Sequence, residues 1–469
     1  MTTRTLTINE KKGSAETWES IMEREMEGLE GVKFGKEMRK WFMFEEGYLN
    51  LNHGSFGTYP RSVCSVMRHY QELAEARPDD FIRYQYPNLL DGARLAISKV
   101  LKAPMEELVF VPNATTGVNT VLRNLAFEDG DHIVYFSTIY GGCEKTVKYV
   151  TETTKAKSVK VEYTFPVEDA WLVRAFKEKV QEVQSKGGKV KIALFDTVVS
   201  MPGVRMPFEE LTKACKELGV LSLVDGAHGV GHIDLDLGKL DADFFVSNCH
   251  KWLHVPRGTA IFHVPTRHHP LIRSTLPTSH GFIPLPSPTP IRSPFAASPK
   301  SPFVLNFQFV GTIDNAPYLC VPASLAFREK IGGEEKIMKY CSELANVAAN
   351  RAAQILGTQV LQNETKTLTN CCLTNVKLPL DLAAVVSVTE RKGFNAEDVG
   401  FEVRDWLGRK LVEDHDTFMA VMFYGGNWWV RFSGQVYLEL EDFEWAAGVL
   451  KGMCERILRG EFLKGESKL

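Results

Sequence analysis

Short apolar runs alternate with amphipathic stretches along most of the chain. Residues 108–111, 132–136, 189–196, 221–224 and 243–247 are runs of roughly four to eight mostly apolar positions, the length of a buried strand. Between them, residues 61–76 place Val63, Val66, Tyr70 and Leu73 on one helical face behind Pro60, and residues 208–218 form a similar stretch. Strand-then-helix order repeated in this way predicts an α/β fold: a mostly parallel sheet covered by helices. The pattern changes near residue 323. Helical spacing at 323–331 and 334–355 precedes a strand-like run at 368–378, with further helices expected near 396–412 and 441–459. Residues 427–437 alternate up to Arg431 and carry turn signals after it.

The breaks in pattern suggest boundaries. Residues 1–33 are charged and weakly patterned, which reads as a mobile arm with some helix, and 34–44 is amphipathic. Prolines 277, 284, 286, 288, 290, 294, 299 and 302 exclude a regular element across 277–306 and predict an extended loop or flap. The expected organisation is an arm at 1–50, a large domain at 51–322, a smaller α+β domain at 323–462 and an exposed tail at 463–469. A chain of 469 residues is long enough for two or three domains.

Composition narrows the classes of function. Lys plus Arg number 55 against 58 Asp plus Glu, a formal charge of −3, so nothing favours nucleic acid as a partner. The amino-terminal MTTRTLTINEKKG lacks an apolar core, and no run reaches membrane-spanning length, so no membrane association is expected. Nine scattered cysteines, an odd number, argue for reduced intracellular thiols. No metal site is called for. Ser467, Lys468 and Leu469 spell the terminal tripeptide read by the peroxisomal import receptor, which makes a peroxisomal location an expectation and the cytoplasm its alternative.

The chemistry concentrates in residues 221–264. Asp225 closes one apolar run, while Asn248, His250 and Lys251 follow another, and open α/β sheets bind ligands just beyond the carboxyl ends of their strands. An acid and a lysine presented together suit pyridoxal phosphate (PLP), which needs an amine for its Schiff base and an anion beside its pyridine nitrogen. Lys251 is the expected amine and Asp225 the anion, with His228, Asn248 and His250 against the ring or phosphate. Asn113, Thr115 and Thr116 stand where a strand turns into a helix, and the free N–H groups there can cradle a phosphate. Taken alone, each residue has an ordinary structural role, such as a helix cap for Asn113; their joint spacing is the signal.

That spacing, D225-x-A-H228 followed by S247-N-x-H250-K251, resembles the fold-type I, class V aminotransferase superfamily. Within it, N52-H-G-S-F-G57, I272-R273-S-T-L-P-T-S-H-G281 and N248-C-H-K-W-L-H-V-P-R-G258 together resemble the fungal hercynylcysteine sulfoxide lyases, over roughly residues 34–460. The resemblance implies a seven-stranded sheet, phosphate contacts from Ala114 and Thr115, a ring platform from Tyr140, and Ser200 beside the ring's phenolic edge. It further implies that Tyr140 can donate a proton to a leaving group, and that Arg431 clamps the substrate α-carboxylate through its planar fork. His53 and Arg83 are implied near the substrate. Thr312 is implied to reach the phosphate of a neighbouring subunit, hence a homodimer with shared sites. The activity implied is β-elimination across a carbon–sulfur bond of hercynylcysteine sulfoxide. The decarboxylating, ring-forming enzyme of loline alkaloid synthesis resembles the same branch and stands as the alternative, with isopenicillin N epimerase further off. Cysteine desulfurase requires a thiol on a mobile loop. Cys371 and Cys372 sit in a strand-like run instead, residues 413–420 contain no cysteine, and only Cys143 stays as an unconventional candidate.

Overall fold

The computed structural model describes residues 16–285, 291, 293–295, 298–389 and 396–465. Residues 1–15, the middle of the proline-rich stretch and the Ser467–Leu469 tripeptide lie outside the described residues. Seven strands form the principal sheet in the order Leu108–Val111, Ala260–His263, Phe244–Ser247, Leu221–Asp225, Lys189–Asp196, Asp131–Phe136 and Lys157–Val161. All neighbours run parallel except Ala260–His263, which is antiparallel to both of its partners. Helices cover both faces, so the central strands are apolar throughout rather than alternating: every residue of Phe244–Ser247 and Ala260–His263 is buried. The carboxyl ends of Lys189–Asp196 and Leu221–Asp225 open side by side, with Asp196 paired in register to Asp225.

Several elements follow the hydrophobic pattern closely. Arg61–Ala76 is a helix that buries Val63, Val66 and Tyr70, and Phe208–Leu218 is a helix ended by Gly219 in the left-handed region at φ 66°. The carboxyl-terminal unit is a three-stranded antiparallel sheet, Ala420–Tyr424, Asn427–Ser433 and Leu373–Lys377, backed by the helices Gly333–Leu356 and Leu440–Leu458.

Other elements depart from expectation for local reasons. The arm is docked from residue 16 onward: a Thr17–Ser20 capping box starts the helix Trp18–Glu25, whose Ile21 and Met22 are buried. Leu49–Asn50 then pairs with Thr417–Phe418, and Gly35 donates to the Val436 carbonyl at 2.7 Å, tying the arm to the carboxyl-terminal unit. The proline-rich stretch ends in a helix, Pro302–Gln308, because Pro302 occupies the first helical position behind the Ser301 cap. Only Leu373–Lys377 of the run 368–378 is strand. Just before it, Gln362 and Asn363 side chains bond Thr369 and Thr367 at 2.8 Å, local bonds that compete with a ladder.

Arg328, on the helix Val321–Lys330, ties this architecture to the turn after Lys251. Its buried guanidinium donates to the carbonyls of Trp252 at 2.9 Å and Gly231 at 3.3 Å while pairing with Glu334. Arg328→Met removes both donors and leaves two buried carbonyls short of a partner. The expected loss is about 3 kcal/mol of unfolding free energy by chemical denaturation; a loss within the scatter of surface substitutions would contradict this clamp.

Candidate active site

Beyond the carboxyl ends of the central strands lies a cavity of about 880 Å³. Its walls bring together eleven of the residues singled out by sequence: Asn113, Ala114, Thr115, Thr116, Tyr140, Ser200, Asp225, His228, Asn248, His250 and Lys251. Lys251 sits on the one-turn helix Cys249–Trp252 that follows the strand Phe244–Ser247, so strand and turn together fix where its amine points. Its Nζ lies 2.9 Å from His228 Nε2. Burial, reinforced by the nearby Arg431 charge, pushes the Lys251 pKa down to about 8 against the opposing pull of Asp225 and Asp196.

The sign of that shift gives a pH prediction. Below about 8 the amine is mostly protonated and cannot attack an aldehyde, and above it the free amine dominates. Attachment of PLP to cofactor-free protein should therefore quicken by about tenfold per pH unit on the acid side and level off on the alkaline side. Stopped-flow absorbance at fixed PLP checks this; a midpoint near the ordinary lysine value would contradict it.

Asp225 is buried, and its two oxygens accept from the Ala227 N–H at 3.0 Å and the Cys143 thiol at 3.3 Å. Burial raises its pKa, and these two donors with Lys251 oppose the rise. Asp196 is the site residue that sequence reading missed. It lines the cavity, its pKa is raised well above the ordinary range by burial and then by Asp225, and its carboxyl has no hydrogen bond among the described residues. Two adjacent buried carboxylates do not both ionise cheaply, so the proton stays on Asp196, and Asp225, with its donors, carries the charge. The same signal that marked Asp225, an apolar run ending in Asp, was present in F195-D196.

The opposite wall is the amino end of the helix Ala114–Asn124. Asn113 caps the Thr116 N–H at 2.8 Å, and Asn248 Oδ1 takes the Ala114 N–H at 2.8 Å. This leaves the N–H and hydroxyl of Thr115 without a partner among the described residues, open to a phosphate at a helix amino terminus. His250 bonds the Thr259 carbonyl through Nδ1 at 3.0 Å and is held neutral by burial, its pKa lowered to about 4. Tyr140 caps the next helix and is half exposed on the rim.

Arg431 lies immediately behind Ser55 and Ser200 of the cavity lining, fully buried. Its guanidinium donates to the Ser200 carbonyl at 2.6 Å, Asn52 Oδ1 at 2.8 Å and Ser55 Oγ at 2.8 Å, while Nε has no partner. No carboxylate pairs with it among the described residues, and burial lowers its pKa to about 10. Its stem runs so close to Gly203 that a Cβ there would stand 2.7 Å from Arg431 Cδ. The surface ion pair that an arginine usually makes is therefore not its role.

Besides Arg431, three expected residues stand outside the cavity lining. His53 is buried behind the Lys251 turn, its Nδ1 2.8 Å from the Tyr437 hydroxyl and its ring 5.2 Å from that of Trp252. Arg83 is bound to Asp79 at 2.8 Å on its own helix and to the Pro294 carbonyl at 3.1 Å. The segment holding it is a π-helical turn, Phe81–Gln85, inside a longer helical stretch. Thr312 lies on an exposed turn. All nine cysteines are free and buried, and none lines the cavity among the described residues. Cys372 is occupied at the start of a strand, its N–H donating to His232 Nε2 at 2.7 Å.

These residues fit PLP: a partnerless donor pair for the phosphate, a buried anion for the ring nitrogen, and a buried amine of lowered basicity for the aldehyde. Comparison with known proteins agrees. The model of the aminotransferase class-V family matches residues 58–393. The L-cysteine desulfhydrase-like protein lolT1 of Epichloe uncinata is 38% identical over 92% of this chain and 98% of its own length. The hercynylcysteine sulfoxide lyase of Schizosaccharomyces pombe is 29% identical over 90% of this chain and 98% of its own. Among solved structures, C-DES with glycine covalently linked to its PLP cofactor has the same fold, with a TM-score of 0.69 at 17% identity over 88% of this chain and 98% of that one. The chain belongs to the aminotransferase class-V family, and pyridoxal phosphate is its cofactor.

Proposed function

We propose that the protein is a PLP-dependent carbon–sulfur lyase whose substrate is a cysteine-derived amino acid, with hercynylcysteine sulfoxide as the substrate it fits best. The observation that carries this reading is Arg431: a buried cation with no anionic partner among the described residues, set behind Ser55 and Ser200 of the cavity that Lys251 and Asp225 also line. A buried unpaired charge is costly, and the α-carboxylate of an incoming amino acid offsets that cost. The absence of a cavity-lining thiol among the described residues supports elimination over persulfide transfer.

The bound cofactor supplies an electron sink for the pair left at Cα when its proton departs. The chain's own residues do the rest. Arg431 orients the carboxylate, Lys251 takes the Cα proton with a basicity already lowered by burial, and Asp225 stays anionic on its two donors. The Cβ–S bond then breaks, its electron pair leaving with the sulfur. Tyr140, on the open side, is placed to protonate the departing group. The three-carbon fragment takes up water to give pyruvate and ammonia, and a sulfoxide substrate releases a sulfenic acid. A cavity of about 880 Å³ is at the large end for small-molecule sites, and Phe56, Tyr140 and Met201 give it an exposed apolar rim suited to a ring-bearing substituent.

The greater identity to lolT1 favours a second reading, a decarboxylating, ring-forming reaction of the loline type. One mass-spectrometric substrate panel separates them. Pyruvate released at a catalytic rate from hercynylcysteine sulfoxide supports the first; carbon dioxide with a cyclised amine, and no pyruvate, overturns it. The same reading takes a homodimer in which exposed Thr312 reaches the partner's phosphate, and import into peroxisomes through Ser467, Lys468 and Leu469. A monomer by sedimentation, or an unchanged location for a fluorescent fusion lacking the tripeptide, would remove these two parts.

A further inference from the structure

The groups behind Lys251 form a hydrogen-bond chain whose direction is fixed at its far end. Trp252 Nε1 lies 3.1 Å from His228 Nδ1, and an indole N–H only donates, so Nδ1 accepts. A neutral imidazole has one proton, which must then sit on Nε2, 2.9 Å from Lys251 Nζ. His228 is fully buried, and burial, reinforced by the nearby Arg431 charge, keeps it neutral. An Nε2–H pointing at Nζ needs a lone pair there, and only an uncharged amine has one.

We propose that Trp252 is a positioning residue that locks His228 in its Nε2–H tautomer, and that His228 in turn favours the free-amine form of Lys251, the form that adds to the cofactor aldehyde with loss of water. Trp252 is fixed for this task. Its ring stacks on His232 at 4.0 Å and 19°, its backbone carbonyl accepts from Arg328, and a Cβ on Gly231 would come within 2.8 Å of that carbonyl. His232 has both nitrogens occupied, Nδ1–H donating to the His228 carbonyl at 2.9 Å and Nε2 accepting from the Cys372 N–H at 2.7 Å. The tryptophan can therefore neither slide nor turn its N–H elsewhere. Asp225 and Asp196 from the strand ends, Cys143 from the next helix, Arg431 from the carboxyl-terminal sheet and His250 on the same turn also face the amine. All of them are retained in Trp252→Phe, which leaves an aromatic ring facing His232 and removes the indole N–H together with part of the ring.

The inference rests on the PLP assignment but not on the substrate, and it is tested without substrate. Above about pH 8, where the Lys251 amine is free, histidine-labelled, cofactor-free protein should show His228 protonated on Nε2 and bare on Nδ1 in long-range ¹H–¹⁵N correlation spectra. In Trp252→Phe the Nδ1–H tautomer should gain population, and the midpoint of the pH profile for PLP attachment should rise by about one unit, slowing attachment near neutrality by about tenfold. Wild-type spectra showing Nδ1–H or doubly protonated His228 would overturn the proposal, and so would a variant with unchanged tautomer and midpoint. If the variant does not fold, the wild-type tautomer alone decides. A normal tautomer in protein that never binds PLP would instead defeat the cofactor assignment.

Discussion

Lys251→Ala is expected to lower turnover by roughly 10³-fold or more and to abolish the visible band of lysine-linked PLP, while the protein stays folded. The size of the effect follows from the residue's two duties, as the cofactor's point of attachment and as the base at Cα. The fold survives because the amine contributes little to stability. It is buried at the cost of its charge, and its hydrogen bond is to His228, at 2.9 Å. Added primary amines should restore part of the proton transfer, since alanine leaves a space where the side chain was. A variant with normal turnover would show that another group does this work.

Arg431→Leu is expected to lower kcat/KM for amino-acid substrates by about 10² to 10³-fold, the equivalent of losing a buried charge-assisted pair at about 2–5 kcal/mol. Most of the loss should appear in KM, because the carboxylate is held in the ground state as well as in the transition state. Arg431→Lys should recover only part, since one ammonium cannot reproduce the fork that now spans the Ser200 carbonyl, Asn52 and Ser55. The control is a descarboxy analogue: the wild type should discriminate strongly against it and the leucine variant hardly at all. Equal discrimination in both would mean that the carboxylate is bound elsewhere.

The parts of the molecule legible in the sequence are those where one physical requirement dominates. Strands buried on both faces read as near-continuous apolar runs, so the stretch 192–195 of Lys189–Asp196 and the strand Phe244–Ser247 could be read directly. Lys251 and Asp225 were legible because each follows or ends such a run, and the end of a run is where the sheet presents side chains. Pro302–Gln308 was hidden because proline opposes a helix interior but favours its first position. Trp252 and His232 were hidden for a different reason. Their roles depend on a stack and on bonds to His228 and Cys372, and nothing in spacing says which way an indole N–H points. Arg431 shows both sides: its alternating surroundings marked it as unusual, but only the fold shows that it has no anionic partner among the described residues.

Borohydride reduction of the PLP-loaded protein, followed by peptide mapping, tests the attachment point most directly. The reduced cofactor should be recovered as a stable adduct on the peptide containing Lys251, in an amount matching the bound PLP, and Lys251→Ala should yield none. Recovery of the label on a different lysine, or of no label from protein that turns over, would contradict the assignment of this site.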